Sequence, residues 1–307
     1  MEPLLVITND AAGTSDEATL DTALGVLRSR ASVEVAATSN PGELDGVLHR
    51  AGTRRIVVAG GDGSMHAVIA ALHRRNELTG REIGLIPLGT GNDFARSMGI
   101  PVDPAEAAVV VLDGTATPTD LLIDEFGDVV VNNVHVGASA QAGRLGAAVK
   151  SVIGKVGLGK VGYPIGAALA SLRPHVVRLK VEVDGRVVND LDQQVLMVAV
   201  GNGSDVGGGA TLNPGAEPTD GMVDVMVSRA VGRLSRLSFA ALLSRGQHAT
   251  HDDVVTARGH TVSVAGEQFW ASADGEIHGP ERRRTWRVEP GAYLLMVPPA
   301  EPQGAPA

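Results

Sequence analysis

Apolar positions in the first third of the chain switch repeatedly between two spacings. Leu4-Leu5-Val6-Ile7-Thr8 is a short apolar run of the kind found in buried parallel strands, and Val33-Glu34-Val35-Ala36-Ala37, Ile56-Val57-Val58-Ala59 and Ile83 to Pro87 are further predicted strands. Between them apolar residues recur at helical intervals: Leu20, Ala23, Leu24 and Leu27; Leu44, Val47, Leu48 and Ala51; Met65, Val68, Ile69 and Leu72. Thr14 with Glu17 three positions later has the form of a capping box. Asp103-Pro104-Ala105-Glu106 starts a further helix with Pro at its first position, ending near Leu112. Repeated strand–helix units with short links predict an α/β N-terminal domain with a parallel sheet and helices on its faces.

After Leu121 the pattern turns mostly to strands. Val129-Val130-Val131 leads toward Val136, and Leu179 to Val183 and Val187-Val188 flank Asp184-Gly185, a hairpin-turn dipeptide. Val195 to Val200, Met222 to Val227, Thr261 to Val264 and Arg287 to Pro298 are further predicted strands, interrupted by a helix carrying Leu234, Leu237, Ala241 and Leu242. The division that follows is an N-terminal α/β domain over 1–121 and a β-rich C-terminal domain over 122–298, whose last strand is free to pack back on the first domain. A disordered tail, rich in Pro and Gly, is expected over 299–307.

Composition narrows the class. Among 307 residues, 26 Lys+Arg stand against 35 Asp+Glu, a formal net charge of −9 that argues against a nucleic-acid partner. The 44% hydrophobic content supplies real cores and excludes global disorder. With no Cys there is no disulfide, thiolate metal site or thiol nucleophile, as suits a reducing compartment. The start Met1-Glu2-Pro3 lacks the basic region of a signal peptide, and no apolar run reaches transmembrane length, so a soluble cytoplasmic protein is expected.

Two polar glycine-rich runs follow predicted strands. Gly60-Gly61-Asp62-Gly63-Ser64 passes directly into the Met65 helix, a turn in which backbone N–H groups can approach phosphate; Asp62 in such a turn suits a magnesium ion beside the phosphates. The bland alternative is a turn in which Asp62 caps its helix. Pro87-Leu88-Gly89-Thr90-Gly91-Asn92-Asp93-Phe94-Ala95-Arg96 follows the fourth strand, at the sheet end where open α/β folds bind ligands. Its bland alternative is a polar loop with Asn92 or Asp93 as N-cap. Two such loops at adjacent strand ends weigh more than either alone.

Together these runs resemble the catalytic domain of diacylglycerol kinases and the related sphingosine and ceramide kinases; NAD kinases and phosphofructokinases share the first turn. Asn9-Asp10-Ala11-Ala12-Gly13 stands where the family has its first nucleotide loop, with Asp10 in place of the usual Pro and Thr14 in place of the usual Lys. Asn213 to Val225 resembles the family's magnesium-associated loop, and Ala273-Asp274-Gly275-Glu276 its late Asp-Gly-Glu motif. The resemblance spans Leu4 to about Val297 in order. It implies a kinase using ATP and Mg2+, with nucleotide contacts from Asn9, Asp10, Ala11, Ala12, Gly13, Thr38, Gly60, Gly61, Asp62, Gly63, Ser64, Met65, His66, Thr90, Asn92 and Asp93. It also implies magnesium at Glu217, Asp220 and the Met222 carbonyl, and Glu276 as base with Asp274 in reserve; without it, Asp274-Gly275 reads as an ordinary hairpin turn. The reaction implied is phosphorylation of a lipid hydroxyl, most simply diacylglycerol to phosphatidic acid. An NAD kinase and a catalytically silent lipid- or nucleotide-binding module are the alternatives.

Other runs are weaker. Gly154 to Lys160 imitates a Walker A loop, but Val161 stands where Ser or Thr must bind the metal. His248, His251, Asp252 and Asp253 have partial metal-like spacing and read as a solvated helix end. Arg282-Arg283-Arg284 reads as a solvated charge run, with phosphate contact as the minority reading. From Val129 to Val181 there is no Asp or Glu, while Lys150, Lys155 and Lys160 alternate with apolar residues. That interleaving suits peripheral contact with an anionic membrane surface holding the lipid substrate, against a bland reading of a core helix with solvated flanks. Oligomeric state is left open, a homodimer included.

Overall fold

The computed structural model describes residues 3–9, 14–137 and 176–299. Asp10 to Gly13, the Gly154 to Lys160 run, Lys150, Lys155, Lys160 and the tail beyond 299 therefore lie outside the described residues.

The chain divides into two units, one formed by 3–119 with 291–299 and one by 120–290. In the first, β1 (Pro3–Asn9), β2 (Ser32–Thr38), β3 (Arg55–Gly60) and β4 (Glu82–Pro87) form a parallel sheet in the order β4-β3-β1-β2, and the final stretch of the chain adds Leu294 and Leu295 in parallel beside Glu82 and Ile83. The helices are α1 (Thr14–Arg30), α2 (Pro41–His49), α3 (Asp62–Arg74), the short α4 (Asp93–Ser97) and α5 (Pro104–Asp113). The helical stripes read from sequence face inward: Ala23, Leu24 and Leu27 of α1 and Ala108 and Val111 of α5 are buried against Leu4, Val6, Val57 and Ile86. Asp103 caps α5 by accepting the N–H groups of Ala105 and Glu106, each at 3.0 Å. The α1 helix already includes Thr14, so its first turn starts one residue earlier than a Thr14 cap predicts.

The second unit is mostly antiparallel. Its strands include β5 (Thr115–Asp124, entering from the first unit), β6 (Val129–Val130), β7 (Asn133–Gly137), β8 (Val177–Val183), β9 (Arg186–Asn189), β10 (Gln194–Val195), β11 (Met197–Gly201), β12 (Asp205–Val206), β13 (Ala210–Thr211), β14 (Val223–Ser228), β15 (Val254–Gly259), β16 (Thr261–Ala273) and β17 (Glu276–Val297), and among its described residues there is one long helix, α6 (Arg233–Leu243). Period-two alternation builds two cores. Val198 and Val200 of β11 and Val223, Val225 and Val227 of β14 join a valine-rich core with Val134, Val136, Val262 and Trp286. Met197, Ala199 and Met226 face the other way and are covered by Phe239 and Leu243 of α6.

Two expectations need correcting. The strands predicted over Thr261–Val264 and Arg287–Pro298 are the ends of one long hairpin, because polar stretches such as Glu281 to Thr285 hide their strand character. The strand predicted over Val195 to Val200 breaks at Leu196, giving β10 and β11, which pair with β8 and β14 respectively. The predicted helix carrying Leu234, Leu237, Ala241 and Leu242 is α6, in which Leu234 and Leu237 are exposed while Phe239 and Leu243 are buried.

Candidate active site

In the first unit, Asn9 registers with Thr38 and Gly60 with Pro87, so the carboxyl ends of all four strands form one edge. Asn9 is exposed there; Thr38 is half-buried and donates its hydroxyl to the Thr8 carbonyl at 3.3 Å. The two glycine-rich loops leave from this edge and meet. A Cβ on Gly89 would stand 2.5 Å from the Gly61 Cα, and one on Gly60 would stand 2.4 Å from the Ser64 hydroxyl. Gly89 is required by contact with the Gly61 backbone and Gly60 by contact with the Ser64 side chain, both inside the protein. A Cβ on Gly63, in contrast, would meet nothing within 4 Å, so the first turn of α3 opens outward.

Asn92 holds the second loop closed. It sits in the left-handed region at φ 52°, accepts the Gly89 N–H at 2.9 Å and donates to the Gly89 carbonyl at 2.7 Å. Neither Asn92 nor Asp93 caps α4 with its side chain. The cap comes from Asp62 in the other loop, whose two oxygens accept the N–H groups of Asp93 at 3.2 Å and Phe94 at 3.0 Å. Asp62 is thus a staple between residues 31 and 32 positions apart, and it does not cap its own helix. Each carboxylate oxygen offers more than one acceptor direction, so stapling leaves Asp62 capacity for a cation. Ser64 and His66 are half-buried, Met65 is buried and Thr90 is exposed. Gly60, Gly61, Asp62, Met65, Asn92 and Ala95 line a small recess. Unsatisfied N–H groups at the start of α3, with Ser64, Thr90, Thr38 and Asn9 nearby in the fold, are a donor set that fits a polyphosphate and its sugar.

In the second unit, Asp274-Gly275 forms the two-residue turn between β16 and β17, with φ 46° and 90° and Ala273 paired to Glu276. This is the hairpin of the bland reading, with primed-turn geometry. The Asp274 carboxylate accepts three backbone N–H groups, from Val131 at 2.7 Å, Asn132 at 2.9 Å and Asn133 at 3.1 Å. It is a positioning group, which leaves Glu276, exposed at the start of β17, as the carboxylate open to a substrate.

Beside Asp274, His135 is held neutral: burial pushes its pKa down to about 4, against a smaller opposing pull from Asp274. Between about pH 6.5 and 4 the unfolded chain therefore binds the proton that the folded chain refuses, and stability must fall as pH falls through this window. The expected loss is on the order of 3 kcal/mol by pH 4, and chemical denaturation of His135→Gln should show a flatter stability profile over that range. Equal slopes for the two proteins would remove this assignment.

Glu217, Asp220 and Met222 are brought together, but not as a metal shell. One Asp220 oxygen accepts the Met222 N–H at 2.9 Å, and the other is paired with Arg258, which also reaches Asp224 at 3.2 Å. Burial raises the Asp224 pKa, Arg258 opposes that, and Asp220 and Glu217 add to it. Asp120 holds the loop from below by accepting the Gly221 N–H at 2.7 Å. Among the described residues no set of three metal-type side chains converges on a cation. A guanidinium occupies the place beside Asp220, so a magnesium bound to the protein here does not fit.

The remaining sequence candidates are structural. Arg284 is buried and paired with Asp124 and Glu281, with the Phe126 ring 4.8 Å from its guanidinium, so phosphate contact by this residue is excluded. His248 is buried and bonded to the Leu212 carbonyl at 2.7 Å, while His251 contacts the Ser238 hydroxyl at 2.7 Å. Sequence reasoning missed a group of buried amides near the Asp274 turn: Asn132 and Asn133 both donate to the Asp205 carbonyl, and Asn202 donates to the carbonyls of Asp120 and Val131. Nothing short of the fold could have grouped them, since Asn202 lies about 70 positions from Asn132 and Asn133, in a segment with no motif.

The model of the diacylglycerol kinase catalytic domain matches residues 3–123, and that of the YegS C-terminal NAD kinase beta sandwich-like domain matches 132–297. A protein named probable lipid kinase YegS-like from Xanthomonas oryzae is 33% identical over 289 residues, covering 89% of both chains. A diacylglycerol kinase of Bacillus subtilis is 32% identical over 233 residues, covering 73% of this chain and 71% of that one. The crystal structure of a diacylglycerol kinase from Bacillus anthracis shares the fold at TM-score 0.72 and 20% identity, covering 97% of this chain and 98% of that one. With both of its units matched in order and relatives above 30% identity across most of its length, the chain belongs to the diacylglycerol kinase family.

Proposed function

We propose that this protein is a lipid kinase that transfers the γ-phosphoryl group of MgATP to a lipid hydroxyl, with diacylglycerol as acceptor and phosphatidic acid as product. The observation that carries the reading is the junction of the Gly60–Ser64 and Gly89–Asp93 loops at the carboxyl edge of a parallel sheet, in a chain of this family. Magnesium enters here as part of the nucleotide substrate, and no protein-bound metal at Glu217, Asp220 and Met222 is invoked.

In this reading the α3 N-terminus and the hydroxyls of Ser64, Thr38 and Thr90 orient the phosphates, and Asp62 faces the nucleotide's cation. Glu276 takes the proton of the attacking hydroxyl as its oxygen bonds to the γ-phosphorus and the bond to the bridging oxygen of ADP breaks. Little covalent chemistry falls to the protein; positioning and charge stabilisation do most of the work. The lipid acceptor implies that the enzyme works peripherally at a membrane surface. None of the described helices is long and apolar enough to cross one.

The test is transfer of label from γ-labelled ATP with Mg2+ to acceptors presented separately: diacylglycerol, monoacylglycerol, ceramide and phosphatidylglycerol in mixed micelles, and NAD in solution. Label in phosphatidic acid is expected. Label on another lipid reassigns the acceptor within the family, label on NAD supports the rival enzyme, and no transfer to any acceptor supports a silent binding module.

A further inference from the structure

The exposed face of α6 has no counterpart in the catalytic reading. Leu234 is 83% and Leu237 66% exposed, and Ala241, also exposed, lies one further helical step along. These three positions share one side of the helix, at intervals of three and four, while Phe239 and Leu243 on the other side are buried against Met197, Ala199 and Met226. The helix is therefore anchored by one apolar face and offers a second to its surroundings. Isolated exposed leucines are common, but two adjacent on one helix side with an alanine between basic groups form a directed surface.

Charge identifies what the surface meets. Between Asp224 and Asp252 the sequence contains no Asp or Glu, yet it holds Arg229, Arg233, Arg236 and Arg245, in a protein of net charge −9. Arg229 is engaged inward, donating to the Asn189 side chain and the Val188 carbonyl, each at 2.8 Å. Among the described residues no ion pair engages Arg233, Arg236 or Arg245. Arg233 and Arg245 are exposed and flank the ridge, whereas Arg236, seven positions before buried Leu243, is half-buried on the covered side. An apolar ridge flanked by unpaired guanidinium groups is the arrangement of a helix lying in a lipid interface. The acidic whole would be repelled by an anionic bilayer, so a local cationic and apolar contact is what such a surface requires.

We propose that α6 docks the protein on an anionic bilayer, with Leu234, Leu237 and Ala241 dipping into the interface and Arg233 and Arg245 contacting lipid phosphates. The inference takes its physiological sense from the lipid-kinase reading, but its test needs no catalysis. Vesicles of phosphatidylcholine with and without phosphatidylglycerol, free of diacylglycerol and ATP, are co-sedimented with the full chain at several salt concentrations.

The wild type should bind the anionic vesicles and lose binding with added salt. Each such arginine is worth roughly fivefold, so the double variant Arg233→Glu/Arg245→Glu should bind at least about 25-fold more weakly. Leu234→Ser/Leu237→Ser should weaken binding and leave much of the salt dependence in place. All four side chains are exposed, and unchanged thermal melting keeps both variants interpretable. Unchanged vesicle binding by both variants overturns the proposal. So does loss only on changing Lys150, Lys155 and Lys160, or self-association abolished by the leucine changes without effect on vesicles. Binding without any phosphoryl transfer would sink the kinase reading and leave the docking surface standing; transfer with α6-independent binding does the reverse.

Discussion

Glu276→Gln is expected to lower kcat by about 10²–10⁴-fold while changing the KM for lipid little. The substitution keeps size and hydrogen-bonding capacity but removes the ability to take a proton. A lipid hydroxyl is a weak nucleophile, and its proton must leave as the bond to phosphorus forms. Glu276 is suited to receive it because it is exposed while its place in space is fixed. It is paired to Ala273 across a two-residue turn, and the turn is pinned by three N–H bonds to Asp274. Asp274→Asn is the informative companion. It leaves Glu276 in place chemically but exchanges one acceptor oxygen for a donor facing backbone N–H groups, so it should lower thermal stability as well as kcat. Steady-state kinetics with dispersed diacylglycerol, alongside melting curves, separates the two. A pure KM effect in Glu276→Gln would make this residue a substrate contact, and a larger kcat loss in Asp274→Asn at wild-type stability would transfer the base role to Asp274.

The first unit was legible because its signals are local. The strand runs, the inward stripes of α1, α2 and α3 and the Asp103 cap each depend on residues within a turn or two of one another. The second unit was legible only in outline. Glu281 to Thr285 reads as a solvated charge run, yet Arg284 points inward to Asp124, a partner 160 positions away, and no local pattern announces a buried ion pair at that distance. Which side of α6 is covered is hidden in the sequence for a related reason. Leu234, Leu237, Ala241 and Phe239, Leu243 form two apolar stripes, and spacing alone does not say which one the sheet will cover. The same limit holds at the candidate site: Asp62 and Asp93 were singled out separately, and the bond that joins their loops became visible only in the fold.

Asp62→Asn is expected to reduce kcat/KM for ATP by about 10²-fold or more and to cost about 1–2 kcal/mol of stability. Both effects have one geometric source. The carboxylate caps α4 through Asp93 and Phe94, so replacing one oxygen by an amide turns a donor toward a backbone N–H and leaves that group unpaired. The strain falls where Gly61 and Gly89 already touch, so the two phosphate-facing loops should separate slightly. Loss of the negative charge also removes the only carboxylate of the first loop from the nucleotide's cation. These contributions can be told apart. If stapling accounts for everything, the kinetic defect should track the loss of melting temperature and shrink at low temperature, where the loops re-close. If Asp62 also faces the cation, the defect should persist at low temperature, and the concentration of Mg2+ or Mn2+ needed for half-maximal activity should rise. A folded Asp62→Asn protein with near-wild-type kcat/KM and unchanged metal dependence would leave the Gly60–Ser64 turn as scaffold and move nucleotide binding away from this edge of the sheet.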